Sequence, residues 1–146
     1  MIKHEFTIHW KSKKKMMNKG TIKDSESAYK YFMEFFDKNT IELHETAYML
    51  VLNNASEILG IHKISDGGMT GTIIDARKVI LSTILLNGKC VILAHNHPSG
   101  RLEFSKEDIE VTKRIKQALK HCELELLDHL IITNEGYKSI ADEGLI

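Results

Sequence analysis

Cysteine is scarce in this 146-residue chain, and its two copies are far apart. Cys90 and Cys122 share no Cys-x-x-Cys spacing, and each sits in an apolar setting. They read as reduced core residues, which excludes a disulfide framework and a thiolate metal site. Any metal must then be held by histidine and carboxylate. Long hydrophobic runs are missing as well. No stretch approaches the 18 or so apolar residues of a membrane span, and no apolar signal segment follows Met1. No membrane partner is expected, and the cytoplasm is the expected compartment. Net charge is absent too, with 20 basic side chains against 20 acidic ones. A globally basic, nucleic-acid-coating domain is thereby excluded. Apart from one lysine run there is no low-complexity segment, and there is no internal repeat.

Neutrality hides an asymmetry. Residues 1–20 hold six lysines (Lys3, Lys11, Lys13, Lys14, Lys15 and Lys19) against Glu5, a local net of +5, which leaves −5 on the remainder. The run Lys11–Lys15 is read as a solvated arm, with phosphate contact the competing reading. The expected organisation is a basic N-terminal arm over 1–20 and one domain over 21–146. With 42% apolar residues, that domain has enough material to bury a core.

Patterning predicts the elements. A short strand is expected over Phe6–Trp10, and a helix over 26–37 capped by Asp24 or Ser25. Thr46–Leu52 reads as a strand covered on both faces, opened by Glu45 and returning as a hairpin over 57–65. Gly67, Gly68 and Gly71 mark a loop that lacks the strand-to-helix context of a phosphate cradle. Asp75 caps a helix to about Asn87-Gly88, with Val79, Ile80, Ile84 and Leu85 inward. Cys90–Ala94 is a buried strand, ended by the chain's only proline, Pro98, which cannot donate to a ladder. Ser105 caps a helix to about His121, and strands follow over 125–133 and 137–140. Helices interleaved with mixed strands predict an α/β domain, a mixed β-sheet flanked by helices.

The chemistry gathers around His95-Asn96-His97-Pro98-Ser99-Gly100. Two histidines one residue apart at a strand end project to the same side and can share a cation. Spacing alone is weak evidence, because eight histidines in this length give roughly 0.4 such pairs by chance. The setting says more. A buried strand enters a tight loop, and Asp108 follows in the first turn of the next helix, at the head of its apolar stripe. A carboxylate so placed needs a partner. Two His and one carboxylate would bind zinc and leave a fourth position open for water. The competing reading makes Asp108 the N3 acid of a capping box with Ser105, and spacing leaves both standing.

The array His95-x-His97, seven residues, Ser105-x-x-Asp108, with Glu45 upstream at the head of a strand, resembles the JAMM (JAB/MPN+) metalloprotease signature. Within that superfamily His-Asn-His-Pro-Ser-Gly, the later Leu127-Asp128-His129, and the approach from Gly71-Thr72 to Arg77 resemble the bacterial RadC-like proteins. The resemblance covers about residues 22–146 and implies a cytidine-deaminase-like (JAB/MPN) fold. It implies one Zn²⁺ on His95, His97 and Asp108, with Glu45 as general base and Ser105 assisting the oxyanion during attack on a peptide or isopeptide bond. Glu42, three residues earlier, competes with Glu45 but falls outside the strand's regular phase. There are departures. RadC-like proteins carry an N-terminal helix-hairpin-helix region that these residues do not contain, which lowers the expectation of DNA binding. Arg101-Leu102-Glu103-Phe104 also stands where relatives have polar or proline-containing residues.

Other residues carry less. His129, inside an apolar strand, reads first as a satisfied structural histidine. His62 and His121 read as surface residues, and Trp10 as an edge-strand or interface aromatic. The alternative to a zinc hydrolase with a peptide or protein substrate is an accessory protein of DNA repair or of a mobile element. Such a protein would bind nucleic acid without peptidase activity. A zinc nucleobase deaminase is disfavoured, since its usual ligands include a Pro-Cys-x-x-Cys pair. The sequence leaves the oligomeric state open.

Overall fold

The computed structural model describes residues 20–67 and 74–146. The expected strand over Phe6–Trp10, the Lys11–Lys15 run, Gly68 and Gly71 lie outside the described residues. Three helices and five strands follow in the order α1 (Ser25–Phe32), β1 (Thr46–Leu52), β2 (Ile58–Asp66), α2 (Ala76–Leu85), β3 (Cys90–Asn96), α3 (Lys106–His121), β4 (Glu125–Thr133) and β5 (Gly136–Ser139). The strands form one mixed sheet in the order β2-β1-β3-β4-β5. Only β3 and β4 run parallel, and α3 makes the crossover that a parallel pair requires. This is the α/β sheet flanked by helices expected of a JAB/MPN domain.

Both sheet faces are covered, which explains why Ala47–Leu52 of β1 and Cys90–Ala94 of β3 are apolar on both faces. Every residue of β3 is buried. On one face Ala28 and Phe32 of α1 pack against Leu50, Leu52, Ile92, Ala94, Leu130 and Ile132. On the other, Ile115 and Leu119 of α3 and Val79 of α2 pack against Ala47, Met49, Val51, Val91 and Leu93. These sets alternate along each strand, as pleating dictates.

Four local expectations are corrected. The first helix ends at Phe32, with Met33 as its cap, rather than reaching residue 37. Tighter turns replace its last stretch (Phe35 N–H to the Phe32 carbonyl, 2.8 Å) and carry Phe36 and Ile41 into the core. Ile84 is 55% exposed, not inward, because α2 buries only Val79 and Thr83 fully. Cys122 is exposed, since it caps α3 beyond its buried stripe, whereas Cys90 is buried as expected. The strand expected to stop at Ala94 continues to Asn96, because His95 pairs with Ala47 of β1 and Asn96 with Ile132 of β4. That last difference puts His95 on the strand itself.

Candidate metal centre

The site lies where β3 leaves the sheet, at the C-terminal end of the parallel pair. Open α/β sheets place their clefts at such ends. His95 falls on the α3-facing side with Val91 and Leu93. The ladder persists one step past the strand, His97 N–H donating to the Ile132 carbonyl at 3.1 Å. His97 therefore keeps the phase of His95. Across the gap, α3 begins at the cap residue Ser105, and its first turn delivers Asp108.

Three side chains converge. His95 Nε2 and His97 Nε2 are 2.9 Å apart. Asp108 Oδ1 lies 3.2 Å from His95 Nε2, and Asp108 Oδ2 lies 3.5 Å from His97 Nε2. Atoms held about 2.0–2.1 Å from one ion at tetrahedral angles stand roughly 3.3–3.4 Å from each other. The observed separations bracket that edge, and one donor atom from each residue lies within 4.8 Å of the others, so the three residues could hold a single metal ion. Among the described residues they are also the one His/Cys/Asp/Glu cluster close enough to do so.

Each candidate ligand is held from behind. His97 Nδ1–H donates to the Arg101 carbonyl at 2.9 Å, which leaves Nε2 aimed into the site with its lone pair. Asp108 and Ser105 form the reciprocal capping box. The Asp108 N–H donates to Ser105 Oγ at 3.0 Å, while Asp108 Oδ2 accepts from the Ser105 N–H at 2.8 Å and from its hydroxyl at 2.7 Å. The two readings of Asp108 thus coexist: the cap holds Oδ2 and orients the carboxylate toward the histidines. His95 Nδ1 contacts His129 Nε2 at 2.8 Å, and His129 Nδ1 contacts Thr112 Oγ1 at 2.6 Å.

The electrostatics suit a cation. Burial would raise the Asp108 pKa, but the neighbouring His95 and His97 rings and the hydrogen bond from Ser105 hold it well below the usual carboxylate range. Burial works against a charged His97; Asp108, the Arg101 carbonyl and the charge of Glu45 outweigh it and raise the His97 pKa. His129 is pushed far down, first by complete burial and then by the neighbouring His95.

Glu45 immediately precedes β1 and is half-buried. The β1–β3 register pairs Ala47 with His95, and two more steps bring Glu45 level with His97. Its competitor Glu42 is exposed, and its Oε1 accepts from Asn134 Nδ2 at 2.6 Å. The segment around Glu45 is pinned by Asn96, a residue to which sequence reasoning assigned no role. Fully buried on the opposite face from the two histidines, Asn96 donates from Nδ2 to the carbonyls of Ile41 (2.6 Å) and His44 (2.8 Å). Its Oδ1 accepts from the Thr46 N–H at 2.7 Å. One residue between the two histidines thus ties the Glu45 segment to the strand that carries them. The neighbouring Asp128 does not reach the site. Its carboxylate accepts from the Ser139 hydroxyl at 2.7 Å and from the N–H groups of His129 and Ala141 at 2.7 and 3.1 Å. His62 and His121 are exposed, as expected.

No helix of the described residues is long and apolar enough to cross a membrane. A UPF0758 protein of Flavobacterium johnsoniae is 42% identical over 102 residues, covering 70% of this chain and 44% of the relative. One of Porphyromonas gingivalis is 36% identical over 132 residues, covering 90% of the chain and 57% of the relative. One of Fusobacterium nucleatum is 36% identical over 135 residues, covering 91% and 57%. The chain spans about half the length of the curated relatives it matches. A family model for the RadC-like JAB domain matches residues 22–145, and the chain belongs to that family.

Proposed function

We propose that this domain is a zinc-dependent hydrolase of the JAMM type, acting on an amide bond of peptide or isopeptide character. The observation that carries the reading is the convergence of His95 Nε2, His97 Nε2 and the Asp108 carboxylate: the two ring nitrogens are 2.9 Å apart, Asp108 Oδ1 is 3.2 Å from His95 and Asp108 Oδ2 is 3.5 Å from His97. Two neutral donors and one carboxylate are a donor set of catalytic zinc sites, which keep one position open. Bound zinc would supply Lewis acidity and bring the pKa of a coordinated water to about 7.

The protein's own groups supply the rest. Glu45 receives the proton as water attacks the carbonyl and returns it to the leaving amine. Ser105 donates a hydrogen bond to the oxyanion, for which its hydroxyl turns away from Asp108 Oδ2. Asn96 keeps the Glu45 segment in register with the ligands, and the capping box keeps Asp108 aimed at them.

Metal analysis of the purified protein tests the centre. One zinc per chain is expected, lost in both His95→Ala and Asp108→Ala; undiminished zinc in the two variants removes the assignment. A chelator-controlled peptidase screen tests the reaction. Glu45→Gln should retain zinc and lose turnover, and an unchanged rate would exclude Glu45 as the base.

A further inference from the structure

The proton on His95 is set from a distance. Thr112 Oγ1 lies 2.5 Å from the Asp108 carbonyl oxygen and 2.6 Å from His129 Nδ1. A carbonyl only accepts, and a hydroxyl has one proton to give. The Thr112 O–H therefore goes to Asp108, and at its other contact Thr112 accepts from His129 Nδ1–H. His129 is fully buried, and its ring partners among the described residues are Thr112 and His95. With no carboxylate against it to balance a second proton, its Nε2 carries a lone pair. The contact of 2.8 Å between His129 Nε2 and His95 Nδ1 is then a hydrogen bond donated by His95. The proton of His95 sits on Nδ1, and Nε2 faces His97 and Asp108 as a lone pair.

We propose that His129 and Thr112 are positioning residues that hold His95 in the Nδ1–H tautomer, the form able to ligate a metal through Nε2. This rests on the metal reading above and extends it to a chain of three side chains, His95–His129–Thr112. The chain starts from the backbone of Asp108, another ligand of the same ion. Run in reverse, with Thr112 donating to His129, the chain would place a proton on His95 Nε2 where the metal must bind. The Asp108 carbonyl selects the productive direction. Groups behind a ligating histidine typically change metal affinity about 10–100-fold when removed.

The test uses the whole chain and zinc alone, read by competition with a chromophoric chelator and by imidazole ¹⁵N correlation spectra of the zinc-free protein. In the unmodified protein His95 should appear as the Nδ1–H tautomer. Thr112→Val keeps the shape, removes the acceptor, and should weaken zinc binding about tenfold while eroding that tautomer signature. Thr112→Ser should restore both. His129→Leu should weaken zinc binding more, and His129→Gln, whose amide oxygen can accept from Nδ1–H, should recover part of the loss. If His129→Leu does not fold, the Thr112 pair and the tautomer spectrum decide. Zinc bound by the unmodified protein with equal affinity in Thr112→Val, or His95 protonated on Nε2, overturns the inference and leaves the centre standing. A protein that binds no zinc at all removes the centre, and this inference with it.

Discussion

Within the metal triangle, two residues have pKa values displaced in opposite senses, and each displacement is a statement about stability. The carboxyl of Asp108 lies below its ordinary value in the folded protein. Its contribution is present above about pH 4 and is lost as pH falls through the folded value. The imidazole of His97 lies above its ordinary value. Its contribution is complete below about pH 6.5 and is lost as pH rises through the folded value. A ligating His97 must be neutral, so zinc affinity runs the other way and grows as pH rises through that same window. As pH rises above about 6.5 the metal-free protein should lose a little thermal stability while the shift produced by zinc increases. Calorimetry on both forms checks this, with His97→Gln as the reference that should flatten both trends. A zinc shift that shrinks with rising pH would contradict the assignment. Asn96 gives a second prediction at this scale. Asn96→Ala strands the Thr46 N–H and the carbonyls of Ile41 and His44, at a cost of about 2–4 kcal/mol. Zinc content should persist while turnover falls, because the damage is to the Glu45 segment and not to the ligands. Chemical denaturation and metal analysis together separate these effects.

At the level of elements, the helix caps and the buried strands were legible because local chemistry decides them. Asp24, Asp75 and Ser105 each cap a helix as their positions suggested. Helix ends were less legible, since they answer to tertiary packing. The first helix gives way to turns where Phe36 and Ile41 must reach the sheet, and the second stops at Leu85 so that the chain can reverse into β3. That reversal depends on Gly88. A methyl group there would stand 2.1 Å from Val51 Cγ1 and 3.3 Å from Thr83 Cγ2, both fixed on buried side chains. Gly88→Ala should therefore destabilise by about 1–3 kcal/mol through overpacking, read as a lower denaturation midpoint with an unchanged slope. An unaltered midpoint would mean that β1 and α2 separate more easily than their packing indicates. For the cap of α3, Ser105→Ala removes both the N-cap oxygen and a donor to Asp108, and should cost about 1 kcal/mol. Zinc affinity should drop with it, because the same oxygen orients a ligand.

Across the whole molecule, the site is a product of topology more than of any motif. His95 and His97 were readable from the buried strand that enters their loop and from the array they form with Ser105 and Asp108, not from spacing alone, and Asp108 from its place at the head of a helix stripe. The group behind them was not. His129 lies 34 residues from His95 and 17 from Thr112, and only the parallel β3–α3–β4 unit sets them side by side. From sequence, a histidine inside an apolar strand looks like an ordinary buried residue, and the signal for its role is the pairing of Leu93 with His129 in the register. On the proposed reading, the same unit makes metal binding a property of folding. Its ligands come from a strand and a helix that the unfolded chain does not hold together, so zinc should bind the native state and stabilise it by RT ln(1 + [Zn]/Kd), about 2.7 kcal/mol at a hundredfold excess over Kd. Because α3 packs on β4 and β3 is the centre of the sheet, that energy should reach the whole cooperative unit and not the loop alone. The expected result is a single unfolding transition whose midpoint climbs with the logarithm of free zinc. The dependence should vanish in Asp108→Ala. Two separate transitions, with only one sensitive to zinc, would show that the centre is coupled to a local segment and that the sheet stands without it.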